Sequence, residues 1–100
     1  MVLGDWLDQH TSQAPAALRA RVREHADSAG VTVSLPTALT EASRHALDRV
    51  LDHPGDRSVA LDLLAADALV TLALLAQAQT APERLGEFAT SVLHAGSPRP

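Results

Sequence analysis

The densest set of chemistry-bearing side chains in this sequence is Glu41, His45, Asp48 and Asp52. At about 100° of helical rotation per residue they cluster within roughly 60° of one another. A carboxylate and an imidazole four residues apart can share a metal ion, and two further carboxylates on that face would add oxygen ligands. The set lies opposite the apolar stripe Leu39, Ala42, Ala46, Leu47, Val50 and Leu51. It is therefore expected to face water as a solvated acidic surface, where ligands are neither held in place nor desolvated.

A second set lies in the apolar stretch from Asp56 to Thr80, where Asp62, Asp67, Thr71 and Gln77 interrupt the apolar surface. Asp62 and Asp67 sit about 140° apart around a helix, so each is expected near an edge of the buried surface. Thr71, four residues after Asp67, is within hydrogen-bonding reach of it. Fold and function readings diverge most at Asp67. If it is buried, its charge must be paired with an arginine or bonded to Thr71, and Asp67→Asn then costs about 1 to 3 kcal/mol. If it lines a pocket or interface, the substitution removes binding and leaves stability level. The third set, Arg19, Arg21 and Arg23, forms a basic shoulder expected to be solvated and balanced by Glu24 and Asp27.

The remaining chemistry is narrowed by what is missing. Cysteine is absent, which excludes disulfides, thiolate metal sites and cysteine nucleophiles. All eight basic residues are arginine, so Schiff-base lysines and a P-loop lysine are excluded too. No HExxH, glycine-rich phosphate loop or GxSxG occurs, and the five histidines show no ligand spacing. A net charge of −4 argues against duplex binding. The sequence predicts no catalytic residue, no metal site and no cofactor.

The elements that position these groups are helices. The chain is 46% hydrophobic with only Trp6 and Phe88 as aromatics, so its core is built from Leu, Ala and Val, and Ala and Leu head the helix propensity scale. The predicted fold is an all-α antiparallel bundle of four helices, near 15–29, 36–52, 56–79 and 82–95, after a short helix capped by Asp5. Residues 1–100 form one helical domain, with 1–13 as an N-terminal arm and 96–100 as a disordered tail. Gly30 ends the second helix, Val31–Leu35 is an extended connector, and Ser34 and Pro36 open the third helix. His53-Pro54-Gly55 closes that helix, and Asp56 caps the next. Thr80-Ala81-Pro82-Glu83 reads as a capping box that reverses the chain. The longest uncharged run, Ala68 to Ala81, is shorter than the roughly 20 residues a bilayer needs, so the central helix is expected to be a core helix. The acidic start of the chain is no signal peptide, and a cytoplasmic location is expected.

The run Val59 to Ala76, VALDLLAADALVTLALLA, resembles the helix that follows the first aspartate-rich motif of trans-prenyl diphosphate synthases. It covers under a fifth of the chain, and neither aspartate-rich motif is present, so no activity follows from it.

A central helix that is apolar on nearly every side cannot be covered by three shorter ones. Part of Leu61, Leu64, Leu72 or Leu75 is expected to stay exposed, making the protein a non-enzymatic interaction module that forms a homo-oligomer or joins a protein partner, with Trp6 as a further anchor. Two alternatives are a carrier of an apolar, isoprenoid-like ligand in a helical cavity and a regulator that contacts nucleic acid through Arg19, Arg21 and Arg23.

Overall fold

The computed structural model describes residues 3–28 and 34–96. Five α-helices follow one another: α1 (Leu3–His10), α2 (Ala16–Ser28), α3 (Leu35–Asp52), α4 (Ala60–Thr80) and α5 (Leu85–Gly96). Short 3₁₀ turns at Arg57–Val59 and Pro82–Arg84 lead into α4 and α5. The all-α class and the long central helix expected from composition are observed. Of the predicted connector Val31–Leu35, residues 31–33 lie outside the described residues, as do the Gly30 cap, Ala29 and the tail from 97; Leu35 already belongs to α3, and Gly96 is still helical.

The helix ends follow local chemistry. Pro36 occupies the first turn of α3, where its missing N–H costs nothing, and Ser34 precedes it in an extended conformation. Ser34 makes no side-chain bond to the backbone; its hydroxyl donates instead to Thr37 Oγ1 at 3.0 Å. α3 stops at His53-Pro54-Gly55, where Gly55 takes φ +82°, a left-handed conformation that glycine adopts without steric penalty. Asp56 then caps the 3₁₀ turn, its Oδ1 accepting from the Ser58 N–H at 2.9 Å. That bond holds the Asp56 carboxyl below its usual range.

Two expected helix starts are corrected. Asp5 lies inside the first turn of α1 and is not its cap, since the helix begins at Leu3. The capping box at Thr80 does not form. Thr80 belongs to the last turn of α4, its hydroxyl donates back to the Ala76 carbonyl at 2.7 Å, and the reversal falls on Ala81 with no side-chain cap. The bond to Ala76 turns the threonine side chain back along its own helix, away from the N–H groups that a cap would bind.

α3 and α4 make the principal pairing, α2 packs against both, and α1 packs on α2. The core gathers Trp6, Leu7, Val22, Ala26, Leu39, Ala42, Ala65, Leu69, Leu72, Ala73 and Ala76. The N-terminal arm is thus part of the core. Trp6 stacks on His10 with ring centroids 4.0 Å apart, and the His10 ring donates to the Trp6 carbonyl. α5 flanks the bundle, with Phe88 partly packed on the core and no residue from 85 to 94 buried. On α3, Leu39, Ala42 and Ala46 are buried as the stripe predicts, but Leu51, expected with them, is 67% exposed.

By length and composition alone, Arg57–Thr80 meets the requirement for crossing a bilayer. The uncharged run is shorter than the helix, and counting only that run understates the apolar length. In the fold this helix is the axis against which α2 and α3 pack.

Leu69 is fully buried in the core and Leu51 is not, which sets up a direct comparison. Leu69→Ala is expected to lower unfolding free energy by about 2 to 5 kcal/mol, and Leu51→Ala by under about 0.5 kcal/mol. Urea titration of both variants measures the difference.

Candidate polar site around Asp62

The face that α4 buries is rich in small residues. Asp62, Ala65, Ala66, Ala73 and Ala76 are buried together with Leu69 and Leu72, whereas Leu63, Leu64 and Leu75 point outward. Small side chains let neighbouring helices approach closely. Ser43 of α3 uses that proximity, donating to the Ala66 carbonyl at 2.8 Å. Asp62 lies on this inner face one turn before Ala66, and its side chain is wholly enclosed.

A buried carboxylate is tolerated only when paired and fully hydrogen-bonded. Three donors meet this requirement. Arg21 Nη1 donates to Oδ1 at 2.8 Å, His25 Nε2 to the same oxygen at 2.7 Å, and Arg49 Nε to Oδ2 at 3.2 Å. Arg21 and His25 stand four residues apart on α2, so both project from one face. His45 and Arg49 repeat that spacing in reverse order on α3. His25 is itself buried, and its other nitrogen, Nδ1, lies 2.8 Å from His45 Nδ1, with the two rings tilted by 60°. A chain of contacts thus runs from Asp62 through His25 to the exposed His45. Every buried side-chain N or O among the described residues has a hydrogen-bond partner.

The electrostatics follow from this geometry. Burial alone would push the Asp62 carboxyl up, but the bonds from Arg21 and His25 outweigh it and hold the group below its ordinary 3.8. Arg21 is raised in turn, chiefly by its bond to Asp62, which prevails over desolvation. At neutral pH the site therefore holds a carboxylate between two guanidinium groups, one of which also lies 3.5 Å from Glu24.

Several expectations are corrected here. Asp67, expected at the edge of the core and bonded to Thr71 or an arginine, is exposed, and its carboxylate has no ion pair among the described residues. The Thr71 hydroxyl donates to the Asp67 backbone carbonyl at 3.1 Å, so the two side chains form no site. Asp62 is fully buried instead of lying near an edge. Arg21 is not a solvated shoulder residue, and Arg23 bonds Asp8 of α1 at 2.7 Å, while Arg19 is exposed. Glu41, Asp48 and Asp52 face water as expected, but His45 turns to His25. Among the expected contact residues, Trp6 and Leu72 are buried and Leu61 is half-buried, which withdraws the first two from the surface; Leu64 and Leu75 are exposed. No group of three His, Asp or Glu among the described residues is placed to hold a metal ion.

Comparison with protein-family models, with curated proteins and with solved structures finds no match to this chain.

Asp62→Asn keeps one acceptor oxygen but replaces the other with an NH2 group that meets a donor, and it removes the charge that Arg21 and Arg49 share. Asp62→Asn is expected to cost about 3 kcal/mol, against under about 0.5 kcal/mol for Asp67→Asn. Because the folded-state carboxyl is depressed, the stabilisation from Asp62 is complete above about pH 4 and is lost as pH falls through the lower folded value. Urea midpoints between pH 7 and pH 3 should therefore drop more steeply for the wild type than for Asp62→Asn.

Proposed function

We propose that the protein is a helical interaction module that pairs with a second copy of itself through the outward face of α4. The observation that carries this reading is the exposure of large apolar side chains on the axis helix: Leu63 at 52%, Leu64 at 56% and Leu75 at 39%. Isolated exposed leucines are ordinary, but here Leu64 and Leu75 form a row on one stripe of the helix, with Leu63 about 100° round from it, and an apolar face of this kind supports a contact reading. Leu63 and Leu64 also border an open groove of about 520 Å³, which Ser43 and Leu47 of α3 and Asp67 and Val70 of α4 complete.

The row suits a second copy because it is self-complementary. Leu64 and Leu75 are eleven residues apart, three helical turns, with Ala68 and Thr71 between them on the same stripe. A reversed copy sets Leu64 against Leu75 of the other chain and Ala68 against its Thr71, a two-fold arrangement with small residues where the helices cross. The other readings have less support. Arg21 and Arg23 are committed to Asp62 and Asp8, leaving Arg19 alone of the three for a phosphate backbone. The alanine face that would line an apolar ligand cavity is packed against Val22, Ala26, Leu39 and Ala42.

Sedimentation equilibrium tests this proposal. Wild type is expected to be a dimer at micromolar concentration, and the double variant Leu64→Glu/Leu75→Glu a monomer with unchanged helix content. A wild type that stays strictly monomeric at high micromolar concentration overturns the reading.

A further inference from the structure

We infer that the facing His25 and His45 rings form a one-proton latch between α2 and α3, so that acid releases α2 from the α3–α4 pair. The argument is a proton count. Asp62 only accepts, and its other neighbours are guanidinium N–H groups, so His25 Nε2 must carry a hydrogen to make its 2.7 Å bond. The Nδ1 atoms of His25 and His45 lie 2.8 Å apart, and a bond of that length holds one hydrogen between two nitrogens. With both rings neutral, His45 donates from Nδ1 and His25 accepts. When one proton is added from solvent at the exposed His45, the gap still holds a single hydrogen and the bond survives. A second added proton places an N–H on each side of the gap. The bond is then lost, and two like charges face each other at contact distance.

The surroundings direct the outcome. From α2 the pair is approached by Arg21, whose outer side meets Glu24; from α4 by Asp62; and on α3 Glu41 and Arg49 lie one turn to either side of His45. Two arginines already share the single buried carboxylate, so each proton added to the pair increases an excess of positive charge. His45 is exposed and turns to water readily. His25 is buried, and a second proton leaves it as a buried cation beside Arg21 and Arg49 with one carboxylate among the three, which weakens the seat of α2. Val22 and Ala26, packed beside it, move with the helix. This device does not depend on the dimer proposed above.

Amide hydrogen exchange on the full chain tests it at about pH 7.5 and about pH 5, a range that spans histidine protonation. In the wild type, protection of Val22–Ala26 relative to Leu69–Ala73 is expected to fall at least about tenfold on acidification. In His45→Gln the relative protection should change by less than about twofold, because the glutamine amide can present either its N–H or its C=O to His25 Nδ1. Equal relative protection at both pH values in the wild type, or an equal fall in the variant, overturns the latch. Ring ¹⁵N spectra of the wild type give a second reading independent of the variant's folding. One ring of the pair should take up its proton while α2 stays protected, and the second only as that protection is lost. Full protonation of both rings with α2 still protected also overturns it.

Discussion

The arrangement of this bundle depends on the burial of one carboxylate. Asp62 is surrounded by protein on every side, and an unpaired charge there would cost several kcal/mol, a large share of the 5 to 15 kcal/mol by which a domain of this size is stable. The cost is met by donors from two other helices, Arg21 and His25 on α2 and Arg49 on α3. None is near Asp62 in sequence, so the carboxylate is satisfied only when α2, α3 and α4 are assembled in one register. Apolar packing alone tolerates many nearly equivalent arrangements of Leu and Ala. A hydrogen-bonded charge at 2.7 to 3.2 Å tolerates few.

Much of the architecture was legible in the sequence because it rests on local rules. The helix class follows from Ala and Leu content, the start of α3 from Pro36, its end from Pro54 and Gly55, and the start of the next turn from Asp56. The failures came where two local signals competed or where the deciding partner was distant in sequence. At Thr80 the hydroxyl donates to the Ala76 carbonyl of its own helix, where a cap would have had its oxygen accept from an N–H of the following turn. At Asp62 and Asp67 the helix is so evenly apolar that hydrophobicity indicates no inward direction. Residue size does: the alanines at 65, 66, 73 and 76 mark the close-packed face, and Asp62 shares it while Asp67 does not. The matching Arg-His and His-Arg spacings on α2 and α3 were also present in the sequence. They become informative only once the two helices are known to face each other.

α4 thus turns four of its alanines inward beside Leu69 and Leu72, and leaves Leu63, Leu64 and Leu75 outward. Its inner alanines gain less from burial per residue than leucines would, but they let α2 and α3 approach closely enough to place Ser43 on a backbone carbonyl and three donors on a carboxylate. Stability is thereby drawn from one face of the helix, and the contact proposed for it would use the other. A substitution at Leu64 acts on one, and a substitution at Ala73 on the other.

The ion cluster at Asp62 has a further consequence for how the chain tolerates changes in length. Because its partners are fixed on α2 and α3, the cluster sets the rotation of α4 about its own axis as well as its distance from them. One residue added to the exposed turn at Pro54–Gly55 lengthens a link and leaves that rotation alone. One residue added within α4 between Asp62 and Leu69 turns everything beyond it by about 100° relative to the cluster. Either the carboxylate leaves its arginines, or Leu69, Ala73 and Ala76 leave the core. Insertions and deletions should therefore be accommodated in the turn and rejected in the first two turns of α4, even though both segments lie within a dozen residues of each other.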